Sequence, residues 1–162
     1  MKTRHILLFL ITLSTLCSCG KKTILDEDRT FANDTWLRFQ PEQFTVTPGS
    51  SDDCYNVLVT LTIDTVRFHE NGLPILLEIE SPEHEKRTLF STILLRNHEG
   101  HWLGSFDEAG NITVTQAVRQ YLFFNSTNPH SVTVGQRTNK YEIHGIRLLN
   151  LRIEKAKLEY PK

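Results

Sequence analysis

The sequence predicts an all-β protein, an antiparallel β-sandwich with jelly-roll-like winding as one of its forms, built as a single domain. Three observations carry this. From Trp36 onward the dominant hydrophobic period is two, helical periodicity is scarce, and turn-forming residues recur between short apolar runs. The 162 residues fit one ordinary domain, and nine Phe, four Tyr and two Trp supply more core than a disordered chain carries. A formal net charge of −1 offers no broad basic footprint, so nucleic acid is not an expected partner.

The first element is an address. Lys2 and Arg4 precede a mainly apolar run from Ile6 to Leu16, the pattern of a signal peptide. As a helix, eleven residues span only about 16 Å against a hydrocarbon core of about 30 Å, too short for a permanent span. The run ends in Leu16-Cys17-Ser18-Cys19, which resembles a bacterial lipobox with Cys19 as the lipidated residue. Small Ser18 precedes Cys19, whereas bulky Leu16 precedes Cys17, so Cys19 is the better acceptor. Residues 1–18 are then a removed lipoprotein signal peptide, and two or three acyl chains hold the mature protein to a membrane. Removing 18 of the 162 residues leaves 144, with 16 basic against 19 acidic side chains and a charge of −3. Cys54 is left as a lone thiol, read as a buried packing residue or, more sharply, as a partner in an intermolecular disulfide.

Residues 19–33 are read as the lipidated cysteine and a tether, because Gly20 to Arg29 mixes charges without sustained periodicity. Residues 34–162 form the sandwich domain. Tyr55, Val57, Val59, Leu61 and Ile63 alternate with Asn56, Leu58, Thr60 and Thr62, and Ile75, Leu77 and Ile79 alternate with Leu76, Glu78 and Glu80. Asn71-Gly72 supplies a turn between these runs. Further strands are expected at 88–95, 112–118, 131–135 and 148–154, within an expected total of seven or eight short strands. The best helical candidate, Thr115 to Phe124, fits a strand as well.

Chemical motifs are sparse. His98-Glu99-Gly100-His101 places two His three apart in a Gly-containing turn, unlike the four-residue helical spacing of a zinc hydrolase, so a hydrated turn is expected and no metal. No Gly-x-Ser-x-Gly elbow, Walker A loop or dinucleotide fingerprint occurs, so no catalytic residues or cofactor are expected. The pairs Glu78/Glu80 and Glu83/Glu85 are read as solvated. Asn33, Asn111 and Asn125 begin N-glycosylation triplets that read as polar loops, while Asp64-Thr65-Val66 resembles the O-glycosylation tripeptide of exported Bacteroidetes proteins and makes Thr65 a candidate modification site. Trp36, Trp102, Tyr121 and Phe123 would form a carbohydrate platform if exposed together, but core service is the favoured reading.

The C-terminal third narrows the class. Val132-Thr133-Val134-Gly135-Gln136-Arg137, followed by Ile143 to Lys155 with its Gly145-Ile146 pair and Leu151-Arg152-Ile153, resembles the end of the GldH gliding-motility lipoproteins of Bacteroidetes. Trp36 with Phe39, Tyr55-Asn56-Val57, the segment from Asn71 to Leu77, and Gly100 to Gly104 follow in that family's order. Leu148-Leu149-Asn150 replaces the usual Asp-Val-Gly, and Leu73-Pro74 stands where Tyr-Pro is frequent. The resemblance implies a non-enzymatic outer-membrane lipoprotein of the cell envelope that supports gliding motility and the associated type IX secretion machinery. Its partners would be the membrane, through the anchor, and other envelope or motility-machinery proteins. Gly20-Lys21-Lys22 lacks the acidic residues that typically follow the lipidated cysteine in surface-exported lipoproteins, which favours a periplasm-facing domain. The alternative is a carbohydrate-binding lipoprotein of a glycan-uptake system.

Overall fold

The computed structural model describes residues 23–157, so the leader expected at 1–18 and the lipidation expected at Cys19 lie outside it. Eleven strands follow in chain order among the described residues: β1 (Thr23–Thr30), β2 (Thr35–Leu37), β3 (Glu42–Val46), β4 (Cys54–Asp64), β5 (Gly72–Glu80), β6 (Lys86–Leu94), β7 (Ser105–Phe106), β8 (Asn111–Phe123), β9 (His130–Gln136), β10 (Glu142–His144) and β11 (Ile146–Lys155). They form a five-stranded sheet in the order β1-β11-β4-β8-β7, a four-stranded sheet β3-β9-β5-β6, and a small ribbon β10-β2. All pairings are antiparallel.

Setting aside the short β2, β7 and β10 leaves eight long strands. Numbered afresh along the chain, they run first-eighth-third-sixth in one sheet and second-seventh-fourth-fifth in the other. That order is a long antiparallel hairpin wound around itself, the jelly-roll arrangement of two Greek keys. The all-β sandwich read from the sequence is therefore the fold.

The core lies between the two sheets. Val57, Val59, Leu61 and Ile63 of β4, Leu73, Ile75 and Leu77 of β5, and Leu149, Leu151 and Ile153 of β11 point into it and are buried. Each such aliphatic side chain contributes about 1.5–3 kcal/mol by leaving water. Cys54 is buried at the start of β4, so it serves packing.

Three local expectations are corrected. The tether expected over 19–33 does not hold from Thr23 on, because Thr23–Thr30 is an edge strand paired along β11. Its period-two signal is hidden: Leu25, Glu27 and Arg29 lie opposite buried Ile153, Leu151 and Leu149, but Glu27 and Arg29 reach the open seam between the sheets. Arg29 covers the Phe44 ring at 4.2 Å and donates to the Gln43 carbonyl at 2.8 Å. Second, the turn expected at Asn71-Gly72 between the β4 and β5 runs lies earlier in the chain. β4 and β5 belong to opposite sheets, and the chain turns instead at Asp64, whose carbonyl accepts the N–H of Arg67 and Phe68, with Phe68 buried as a plug. Third, the helical option at 115–124 is strand, bent by register shifts against Tyr55–Leu58 and by Tyr121 at φ 54°.

Pairing direction gives the sandwich two ends. Thr23, the loop 47–53, the turn 81–85, the loop 124–129 and Lys155 share one end, and the opposite, distal end carries the segments 31–34, 65–71, 95–104 and 137–141.

Candidate functional site

The candidate motifs resolve mostly into structural contacts. His101 and His98 approach Glu99 at 3.2 and 3.8 Å on an exposed turn, and among the described residues no cluster of three or more His, Cys, Asp or Glu side chains is placed to hold a metal ion. Glu78 and Glu80 both grip Lys86, at 3.0 and 3.3 Å. The hydrogen bonds to Glu78 and then Glu80 raise the Lys86 pKa, while those from His84 and then Lys86 lower that of Glu80. Asn111 is buried and bonded to Asp107, and Asn125 bridges Glu85 and His130. Thr65 stands on the distal turn and donates its hydroxyl to the Gly110 carbonyl at 2.9 Å; a glycan on that oxygen would remove the donor.

The four aromatics considered as a platform are not brought together. Trp36 is fully buried against Phe31, with its indole N–H donating to the Gln40 carbonyl, and Trp102 lies beneath the Arg96 guanidinium at 3.8 Å. Only Tyr121 and Phe123 are exposed.

A distal cleft of about 570 Å³ is lined by Thr35, Trp36, Gln40, Arg67, Glu142 and His144. Across the β2–β10 ribbon the Thr35 hydroxyl meets His144 Nδ1 at 2.9 Å, and His144 Nε2 meets Glu142 at 3.3 Å. Thr35 Oγ1 also lies 3.1 Å from the Asn33 carbonyl, and its single proton can serve only one of these contacts. The chain pins the ribbon. Beside it, Arg67 and Arg147 converge on Asp34 at 3.2 and 3.6 Å, and Arg147 also reaches Asp64 at 3.6 Å, tying three distal segments together.

The two outer faces of the sandwich differ sharply. On the five-stranded sheet the face is polar and self-satisfied: Thr60 bonds Thr115 at 2.8 Å, Thr62 bonds Thr113 at 3.1 Å, and Asn150 donates to both Asp26 and Asp28. On the four-stranded sheet only the half nearest Thr23 is polar, with Thr45, Ser131, Glu78, Glu80 and Lys86.

The distal half of that second face is apolar. Leu76 is in register with Gly135 on one side and Phe90 on the other, and Pro41 lies beside Gly135, so Pro41, just before β3, and Gly135, Leu76 and Phe90 on β9, β5 and β6 form one uncharged row. Gly135 leaves a shallow gap in the middle of the row. Beyond it come Pro74 and Thr92 in register, then Leu94 opposite Gly72. Pro74 lies one residue past Ile75, the last β5 residue in register with β9, where only its carbonyl is used, accepting the Arg137 N–H at 2.8 Å. On the adjoining rim Phe39 and Tyr141 pair at 6.0 Å, with the Arg38 N–H bonded to the Tyr141 carbonyl. Phe39, Phe90, Tyr141 and Leu94 are 73%, 71%, 62% and 54% exposed, which marks this face as an unusual concentration of wetted apolar surface.

The patch was hard to find from the sequence. Leu76 and Phe90 fall at positions the alternation assigns to solvent, but only strand order shows that they adjoin each other and Pro41. Compared with protein-family models and with curated protein sequences, the chain matches none.

Proposed function

We propose that this protein is a membrane-anchored, non-enzymatic lipoprotein of the Bacteroidetes cell envelope that supports gliding motility and the associated type IX secretion machinery. Acyl chains on Cys19 hold it to the outer membrane, the domain faces the periplasm, and it acts by holding another envelope protein. The sequence resemblance to the GldH lipoproteins supplies the family. The observation that carries the mechanism is the entry of β1 into the sheet at Thr23, four residues after Cys19. Four residues reach at most about 14 Å, so the Thr23 end of the sandwich is held close to the lipid and the distal loops are presented away from it. Confinement of this kind raises a partner's effective concentration, so a modest interface suffices. The shared landmarks serve this scaffold: Gly145-Ile146 turns the chain into β11, and Leu151 and Ile153 fill the core while Arg152 faces outward.

The test is genetic and biochemical together. Cys19→Ser should abolish acyl labelling and release the domain from envelope membranes, and deletion of the gene should impair spreading and type IX secretion. Intact spreading and secretion in the deletion strain would overturn the proposal.

A further inference from the structure

We infer that the distal half of the outer face of the β3-β9-β5-β6 sheet docks a segment of an envelope partner protein that presents apolar side chains around a carboxylate. This rests on the proposed anchored orientation and names the surface and the chemistry of its occupant.

Three observations select that occupant. The first is the apolar row itself, with Phe90 exposed at one end and the Phe39–Tyr141 pair on the adjoining rim. Aromatic residues in such positions are the usual anchors of a protein interface. The second is charge. Arg137 is exposed, continues the β9 ladder by donating its backbone N–H to Pro74, and has no side-chain ion pair among the described residues. Arg38, whose guanidinium lies 5.7 Å from the Phe39 ring, likewise has no ion pair among them, and its Nε is buried without a hydrogen-bond partner. The row, Pro74, Thr92 and Leu94 contain no acid, so a carboxylate seated beside Arg137 and Arg38 meets complementary charge and no like charge within the row.

The third observation concerns the membrane. Leu76 lies four residues, about 14 Å along the strand, from Glu80 at the lipid-proximal end of β5. The half of this face nearer the anchor carries Glu78, Glu80 and Lys86, so laying the face on lipid would bring charged groups to the hydrocarbon boundary first. A protein segment meets the apolar half without that cost.

Edge geometry defines the limit of the site. Gln116 occupies the free edge of β6 at Thr92 and Leu94, and Arg87 donates to the Phe123 carbonyl near its other end. The occupant is accordingly placed across the face, with Phe90 as its border.

The experiment places a photo-crosslinking amino acid at Phe39 or Phe90 of the full lipidated chain in its native host, with Thr60 and Thr115 on the opposite sheet as controls. The expected result is an adduct from Phe39 and Phe90 with one envelope protein, through a peptide containing apolar residues and Asp or Glu, and little adduct from the controls. Arg137→Glu should lower the yield at Phe90 about tenfold, and Arg137→Lys should retain most of it. Thermal melts of these exposed-site variants check that the fold persists. Adducts only with lipid, only with a second copy of the chain, equally from both faces, or none at all would each overturn the inference. Spreading and secretion are scored in the deletion strain in parallel. Impaired motility with no adduct removes the docking surface alone, whereas a specific adduct with intact motility and secretion removes the functional proposal alone.

Discussion

Gln116 stands beside Leu94 in place of a missing strand: its side-chain oxygen accepts the Leu94 N–H at 3.0 Å while its nitrogen donates to the Thr92 carbonyl at 3.0 Å. A primary amide has the donor and acceptor of a peptide unit, so one side chain from β8 satisfies two groups on the free edge of β6. On the opposite seam Arg29 bonds the Gln43 carbonyl of edge strand β3. Each contact bridges one sheet to an edge strand of the other and guards against strand-to-strand association.

Gln116→Ala should leave two edge groups to water, destabilise by about 1 kcal/mol, and raise self-association at high concentration. Hydrogen exchange at Leu94 and sedimentation check this. Unchanged exchange at Leu94 would show that the bridge is not formed in solution.

Gly145→Ala should be among the costliest changes at the distal end. Gly145 has φ 87°, and an added Cβ would meet Phe68 N at 3.0 Å and the Asp64 carbonyl at 3.1 Å. The left-handed backbone alone costs about 1–2 kcal/mol for a residue with a side chain, and the contact is with backbone that also receives and donates bonds at this corner. A urea midpoint within error of wild type would contradict the argument.

Asp107 should give the domain acid sensitivity. The side-chain amide of Asn111, then its backbone N–H, then that of Ala109 donate to this carboxylate and hold its pKa below the ordinary value. A depressed native pKa means stability that is present above the unfolded value, about 3.9, and lost as pH falls through the native one. Asp107→Asn should flatten the dependence of stability on pH in that acidic window, and an NMR titration of Asp107 should find its midpoint below that of a model peptide.

Trp36→Ala should cost about 3–5 kcal/mol, the range for emptying a large aromatic site in a core, because the ring is fully buried against Phe31. Tyr121→Ala, at a ring 48% exposed, should change stability by no more than about 0.5 kcal/mol. Equal effects in denaturant titrations would undermine the assignment of Trp36 to the core.

Legibility in the sequence followed burial. β4 and β5 could be read residue by residue because one face of each is wholly apolar, and β6, β9 and β11 agree with expectation to within two residues at either end. β8 is five residues longer than expected at its C-terminal side because its alternation is broken by the bulge around Tyr121. β1 was hidden because the inward positions of an edge strand can hold Glu27 and Arg29, whose charged ends escape through the seam. β2, β7 and β10 are too short, at two or three residues, for any period to register.

What the sequence determined by itself was the kind of object: one β-sandwich domain, with the alternation of its longest strands dividing core from solvent. Periodicity encodes which side of a strand is buried, since successive side chains point to opposite faces. It does not encode which strands lie side by side. The double winding brought Pro41, Gly135, Leu76 and Phe90, separated widely along the chain, into one row. Long-range pairing also recruited β1 to the sheet and so shortened the reach from Cys19 to the folded domain. Adjacency across strands is a property of the assembled sheet, where hydrogen-bond register sets every neighbour, and only the tertiary structure decides it.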